Sequence, residues 1–168
     1  MTDRSKTRRS FIAAGSAAAL VGLTGVPAQA AGLQPTPTMR GGANNYRPGA
    51  PVVDRIGGGG FMMTGTVRRA GDGAPLAGHR IQMWAHTTEG HERDERSHGA
   101  TLTDAKGQFA LDMPQIVPAF GQAHGHLTYD AEQDTAYGGG RFQTVFLRPL
   151  MVRASDTTLH VDFVLIPA

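Results

Sequence analysis

Ala100-Thr101-Leu102-Thr103-Asp104-Ala105-Lys106-Gly107-Gln108-Phe109-Ala110-Leu111 reads as a strand, a tight turn and a returning strand. Aspartate opens such a turn because its carboxylate accepts from backbone N–H groups just ahead of it. Glycine closes it because it adopts positive φ without steric cost. On this reading residues 100–103 and 108–111 pair as a hairpin, and Asp104 caps the turn rather than acting as a general base. The same grammar extends to both sides. Residues 61–67 (Phe61-Met62-Met63-Thr64-Gly65-Thr66-Val67) form a strand and residues 70–75 a turn. Residues 79–85 alternate as a strand, with Ile81 and Met83 on one face and Gln82 and Trp84 on the other. Residues 124–129, 142–147 and 159–166 supply the rest. No window carries a 3.6-residue apolar period, and there is no internal repeat. About seven to eight short strands at close spacing predict an all-β fold, an antiparallel β-sandwich. In that frame Trp84 is a core residue, His79 sits exposed on a strand edge and His160 faces solvent.

Two connections exceed an ordinary turn. Residues 87–97 are charged (Glu89, His91, Glu92, Arg93, Asp94, Glu95, Arg96), and residues 131–140 are polar and glycine-rich. Long loops on a rigid sandwich are where sites gather, although plain solvation also accounts for a charged one. Ahead of the domain at 61–168, residues 31–60 hold Pro35, Pro37, Pro48 and Pro51, the pairs Gly41-Gly42 and Asn44-Asn45, and the run from Gly57 to Gly60. This composition excludes a helix and predicts an extended arm, packed or mobile. The glycine run is not a phosphate loop, since no Lys-Ser/Thr follows it.

Residues 1–30 stand apart from the fold. Thr7-Arg8-Arg9-Ser10-Phe11-Ile12, an apolar stretch at 12–26 and Ala28-Gln29-Ala30 match a twin-arginine export signal with its cleavage pattern. That predicts a periplasmic or secreted protein delivered already folded, a route compatible with a metal loaded beforehand. No later run is apolar enough to cross a bilayer. Residues 1–30 carry four of the sixteen Lys/Arg and one of the fourteen Asp/Glu, so the remainder is nearly neutral with one net negative charge. The basic isoelectric point therefore gives no reason to expect nucleic-acid binding. There is no cysteine, so no disulfide forms and any metal must be held by histidine, carboxylate or tyrosine.

His124-Gly125-His126 is the stretch that speaks to function. On an extended strand residues i and i+2 point the same way, so the two imidazoles share a face and make half of a transition-metal site.

The ordered motifs resemble those of the intradiol ring-cleavage dioxygenases. Asn45-Tyr46-Arg47-Pro48-Gly49-Ala50-Pro51 is similar to the arm that precedes the core in that family. Gly65-Thr66-Val67, Gly73-Ala74-Pro75-Leu76-Ala77-Gly78 and Met83-Trp84 follow its G-x-V, G-x-P-x-x-G and W sequence. Residues 103–109 resemble its T-D-x-x-G-x-Y/F hairpin, residues 124–127 its H-x-H strand, and residues 143–146 (Gln143-Thr144-Val145-Phe146) the strand after it. The resemblance implies a β-sandwich holding non-haem iron with two histidines, here His124 and His126, and two tyrosines. It implies an enzyme that uses O2 to open a small catechol-type aromatic, with Gln143 as a pocket residue. The tyrosines do not carry over. Glu92 stands at the position of the first, and Pro118-Ala119-Phe120 in the region of the second. Tyr129, at odd spacing from both histidines, points away from them. The family's arginine before H-x-H is replaced by Gln122-Ala123. Two histidines with Glu92 make a 2-His-1-carboxylate set suited to iron(II). Two histidines with His91, His86 or His98 suit copper or zinc. The alternatives to an enzyme are an envelope metal-binding protein and a metal-free sandwich module of transthyretin-like type.

Overall fold

β1 (Gly60–Arg69) organises one of the two sheets. In the computed structural model, which describes residues 32–151 and 153–168, it pairs antiparallel along its length with β4 (Gln108–Pro114). On its other edge it pairs with β7 (Thr158–His160) and then β8 (Phe163–Leu165), both parallel. The second sheet has the order β3 (His98–Leu102), β2 (Arg80–Ala85), β5 (Gly125–Tyr129), β6 (Val145–Leu147), all antiparallel. The predicted export signal lies outside the described residues. Among the described residues no helix is long and apolar enough to cross a membrane.

The inner faces of the sheets meet in one core. Phe61, Met63, Leu111 and Met113 from the first sheet pack on Ile81, Met83, Leu127 and Tyr129 from the second, all fully buried. The alternation that places them is the one read from the sequence at residues 61–67 and 79–85.

Four local expectations change. The stretch at 100–111 does turn at residues 104–107, with Gly107 N–H donating to the Asp104 carbonyl and the Asp104 carboxylate accepting from Lys106 and Gln108 N–H groups. Its two arms do not pair, however. β3 belongs to one sheet and β4 to the other, so the turn is a corner between layers. The sandwich is not purely antiparallel, because β7 and β8 run parallel to β1, and the single strand predicted at 159–166 is split into these two. At the break the Asp162 carboxylate accepts from the N–H and hydroxyl of Thr66, and this side-chain pairing stands between the two ladders. Gly65 is required at that crossing, since a Cβ there would lie 1.7 Å from the Val161 carbonyl oxygen. The loop at 131–140 contains a short helix, α1 (Ala131–Asp134), whose N-cap Asp130 accepts from Glu132 N–H. His79 is buried rather than exposed. Its Nδ1 sits 2.7 Å from the carboxylate of Asp134, which the helix places against the start of β2.

The second sheet is buried on both faces. Every residue of β2 and β5 is buried, including Arg80, Gln82, Trp84, His126 and Thr128 on the outer face. The cover is the arm. It pairs with the edge of β3 through Val53 N–H to the Ala100 carbonyl and Ala100 N–H to the Pro51 carbonyl. Its carbonyls then take the polar side chains beneath it. Gln82 Nε2 donates to Arg47 O at 2.8 Å, Arg80 donates to Ala50 O, and Trp84 Nε1 donates to Asn44 O at 2.9 Å. A polar outer face is thereby buried without leaving these groups unpaired.

Candidate metal centre

His126 lies on β5 opposite Trp84 of β2, and His124 lies just before that strand, held by a bridge to Leu150. Both rings project to the outer face, as their spacing predicted. Each donates Nδ1–H to a backbone carbonyl, His124 to Gln122 O at 2.9 Å and His126 to Gly42 O at 3.0 Å. A carbonyl only accepts, so Nδ1 carries a hydrogen in each ring, and the neutral form of each ring leaves Nε2 with a lone pair; the Arg148 guanidinium also approaches His124 Nδ1, at 3.4 Å.

Glu92 meets these nitrogens. The loop at 87–97 is folded rather than loose. Thr87 and Gly90 bridge, the Asp94 carboxylate accepts from His91 N–H at 2.8 Å, and a 3-10 turn, Glu95–Ser97, leads into β3. Arg93, Glu95 and Arg96 stay exposed, while Glu92 is turned inward and is 2 % exposed. Its Oε2 lies 3.3 Å from His124 Nε2 and 3.5 Å from His126 Nε2, and the three donor atoms fall within 4.8 Å of one another. Its Oε1 accepts from Asn45 Nδ2 at 2.7 Å.

Glu92 Oε2 and His126 Nε2 are two of only three buried side-chain polar atoms, among the described residues, with no hydrogen-bond partner. With both rings neutral, two imidazole lone pairs face a carboxylate oxygen and no donor lies between them. A buried arrangement of this kind calls for a cation. The spacing fits one. Bonds of about 2.1 Å meeting at tetrahedral angles put neighbouring donors about 3.4 Å apart. Burial, the leading cause, lowers the His126 pKa and so favours the neutral ring that a metal needs.

The other candidates fall elsewhere. His91 is half-buried, accepts from Arg93 N–H and packs against His86, with ring centroids 4.8 Å apart. His86 Nδ1 is the third orphaned atom, but neither residue joins the trio. His98 has both ring nitrogens on backbone carbonyls, those of Asp94 and Asn45. Gln143 is exposed. Tyr129 stays in the core, facing His79 and Phe142, as its spacing implied.

Sequence reasoning missed the supports. Trp84 is buried as expected, yet it also stacks between two histidines. Its ring is 5.1 Å from His126 at 10° and 5.5 Å from His98 at 14°. Asn45, Gly42 and Gln122 fix the three donors, two of them through carbonyls that any residue carries. Only Asn45 had a signal, as an asparagine in a loop of unusual composition.

No family model and no curated protein sequence matches this chain. Solved structures do. The hydroxyquinol 1,2-dioxygenase of Pseudomonas putida DLL-E4 superposes with a TM-score of 0.59 at 12 % identity, covering 81 % of this chain and 68 % of that one. The 3-chlorocatechol 1,2-dioxygenase of Rhodococcus opacus 1CP gives 0.56 at 17 %, covering 82 % and 74 %. The dioxygenase domain of a dioxygenase and carbohydrate-binding fusion from Streptomyces sp. SirexAA-E gives 0.54 at 19 %, covering 80 % of this chain and all of that one (100 %). The fold is therefore intradiol-dioxygenase-like. Within that class this chain is divergent in sequence, and its buried donor trio is two histidines and a glutamate.

Proposed function

We propose that this protein is an exported oxidoreductase of the intradiol-dioxygenase type, holding one non-haem iron ion at Glu92, His124 and His126 and oxidising a small catechol-type aromatic with O2. The observation that carries the reading is the buried trio whose lone pairs face one another, on a sandwich whose solved neighbours are catechol-type 1,2-dioxygenases. A bound iron would supply the activation of O2 and of the substrate hydroxyls, with coordination positions left open by three protein ligands. The chain's own residues supply the frame. Gln122 and Gly42 carbonyls hold the imidazoles in the tautomer that presents Nε2. Asn45 holds the carboxylate, and Trp84 covers the face of His126 and excludes water from it. Export rests on the signal-like sequence at residues 1–30.

A second reading, metal holding without turnover by iron, copper or zinc, is favoured by one observation. Glu92, His124 and His126 are each no more than 2 % exposed, with the arm on His126 and Glu92, so an aromatic ring reaches them only if the surrounding chain moves. Anaerobic titration of the purified protein with iron(II), followed by O2 uptake in the presence of several catechols, separates the readings. The enzyme reading expects one ion per chain, O2 consumption and loss of catechol absorbance. Binding with no turnover supports the second reading and rejects the first. Iron(II) that fails to bind rejects the first, and copper(II) and zinc(II) that likewise fail to bind reject the second.

A further inference from the structure

Resting on the metal reading above, we propose that Asn45 is a positioning residue that makes Glu92 a one-oxygen ligand, and that the arm turn carrying it is the cap of the centre. Residues 41–46 touch four of the side chains at the site. The Gly42 carbonyl holds His126, the Asn44 carbonyl holds Trp84, the Asn45 carbonyl holds the His98 ring at 2.9 Å, and the Asn45 amide holds Glu92 Oε1. The turn is built to sit there. Gly42 rests directly on β6, where a Cβ would meet the backbone of Phe146 at 2.7 Å. Asn45 has a φ of 60°, a left-handed conformation that asparagine tolerates better than most residues. Tyr46 anchors the exit, packing on Trp84 and Phe146 and donating to the Asp130 carboxylate.

The chemical consequence lies in the two oxygens of Glu92. Oε1 has a donor and Oε2 has none. An ion bound by Oε2 leaves the Asn45 contact intact, whereas chelation by both oxygens requires Oε1 to leave it. The seated turn therefore selects single-oxygen ligation and closes the ion's path to solvent. Seating and retention become one event.

Asn45→Gly is the informative variant. Glycine accepts the positive φ, so the substitution removes the amide and preserves the backbone contact to His98. Cobalt(II) serves as the probe, read by visible absorption and by equilibrium competition. Affinity is expected to fall about 10–100-fold, the usual cost of losing a group that orients a ligand. The ligand-field spectrum is expected to shift toward higher coordination as Glu92 becomes free to chelate. A metal-free readout accompanies this, the rate at which diethylpyrocarbonate modifies His124 and His126, followed by mass spectrometry. It is expected to rise several-fold in Gly42→Val, whose side chain would meet the Phe146 backbone and lift the turn from β6. Unchanged affinity and spectrum overturn the positioning role, and an unchanged modification rate overturns the cap. Wild-type protein that binds no cobalt(II) overturns the metal reading, and the modification rates still judge the cap.

Discussion

Glu92→Gln is expected to make the metal-free protein more stable while abolishing its affinity for metal. The two signs have one cause. In the wild-type protein Oε2 confronts the Nε2 atoms of two imidazoles at 3.3 and 3.5 Å, and when both rings are neutral through Nδ1–H nothing among the three atoms donates. A glutamine of the same shape keeps its carbonyl on Asn45 and turns its NH2 toward the histidines. An acceptor facing acceptors becomes a donor facing acceptors, which adds about 1 kcal/mol or more by pairing buried groups. The same change removes the anionic ligand and fills the ion's place with hydrogens, so affinity is expected to fall by more than about 100-fold, beyond the loss of a merely supporting group. Urea unfolding with and without metal reads both. Wild-type protein gains about 2.7 kcal/mol when the ion is at a hundred times its dissociation constant, and the variant gains nothing. A variant less stable than wild type without metal, or one that keeps the metal-dependent gain, contradicts this account of the trio.

The second large effect is at Asp134. It is fully buried, with one oxygen accepting from Arg80 N–H at 2.7 Å and the other paired with His79 Nδ1 at 2.7 Å and with Gly140 N–H at 3.1 Å. It ties α1 to β2. Asp134→Ala strips the acceptor from two buried donors, His79 and Arg80 N–H, and from the half-buried Gly140 N–H, and is expected to cost roughly 3–5 kcal/mol. The pH dependence carries a separate signature. Burial pushes this carboxyl up, but hydrogen bonds from His79 and Arg80 outweigh it, and its pKa ends below the usual carboxylate value. The unfolded chain therefore binds the proton more readily. The contribution to stability is complete above about pH 4, the ordinary aspartate value, and is lost as pH falls through the lower folded value. Urea midpoints between neutral and acid pH are expected to decline in wild-type protein. Asp134→Asn, which retains an acceptor but no titrating carboxyl, is expected to start lower and to lose this part of the decline. Equal acid slopes would remove Asp134 from the account.

Much of this architecture was legible in the chain because strand alternation is a local property. Ile81 against Gln82, or Met63 against Met62, is decided by neighbours two residues apart, and so is the shared face of His124 and His126. Pairing is not local. The turn at 104–107 has the same residues whether its arms join one sheet or two, and the choice is made by what β1 and β2 offer on either side. His79 reads as an exposed edge residue until a helix fifty residues away places Asp134 on it. The arm was the largest loss. Gly42, Asn44 and Arg47 act through carbonyls, which leave no mark in the side-chain text. Glu92 was recognised by its distance from Trp84. That the charged loop would turn this one carboxylate inward, and leave Arg93 and Glu95 outside, depends on the Asp94 and Thr87 contacts that fold it.

X-ray absorption at the edge of the bound metal addresses the trio most directly. This account predicts two imidazoles and oxygen donors at about 2.0–2.2 Å, with the imidazole scattering reduced by half in either His124→Gln or His126→Gln protein. A bound ion whose spectrum shows no imidazole, or one indifferent to both substitutions, would contradict it.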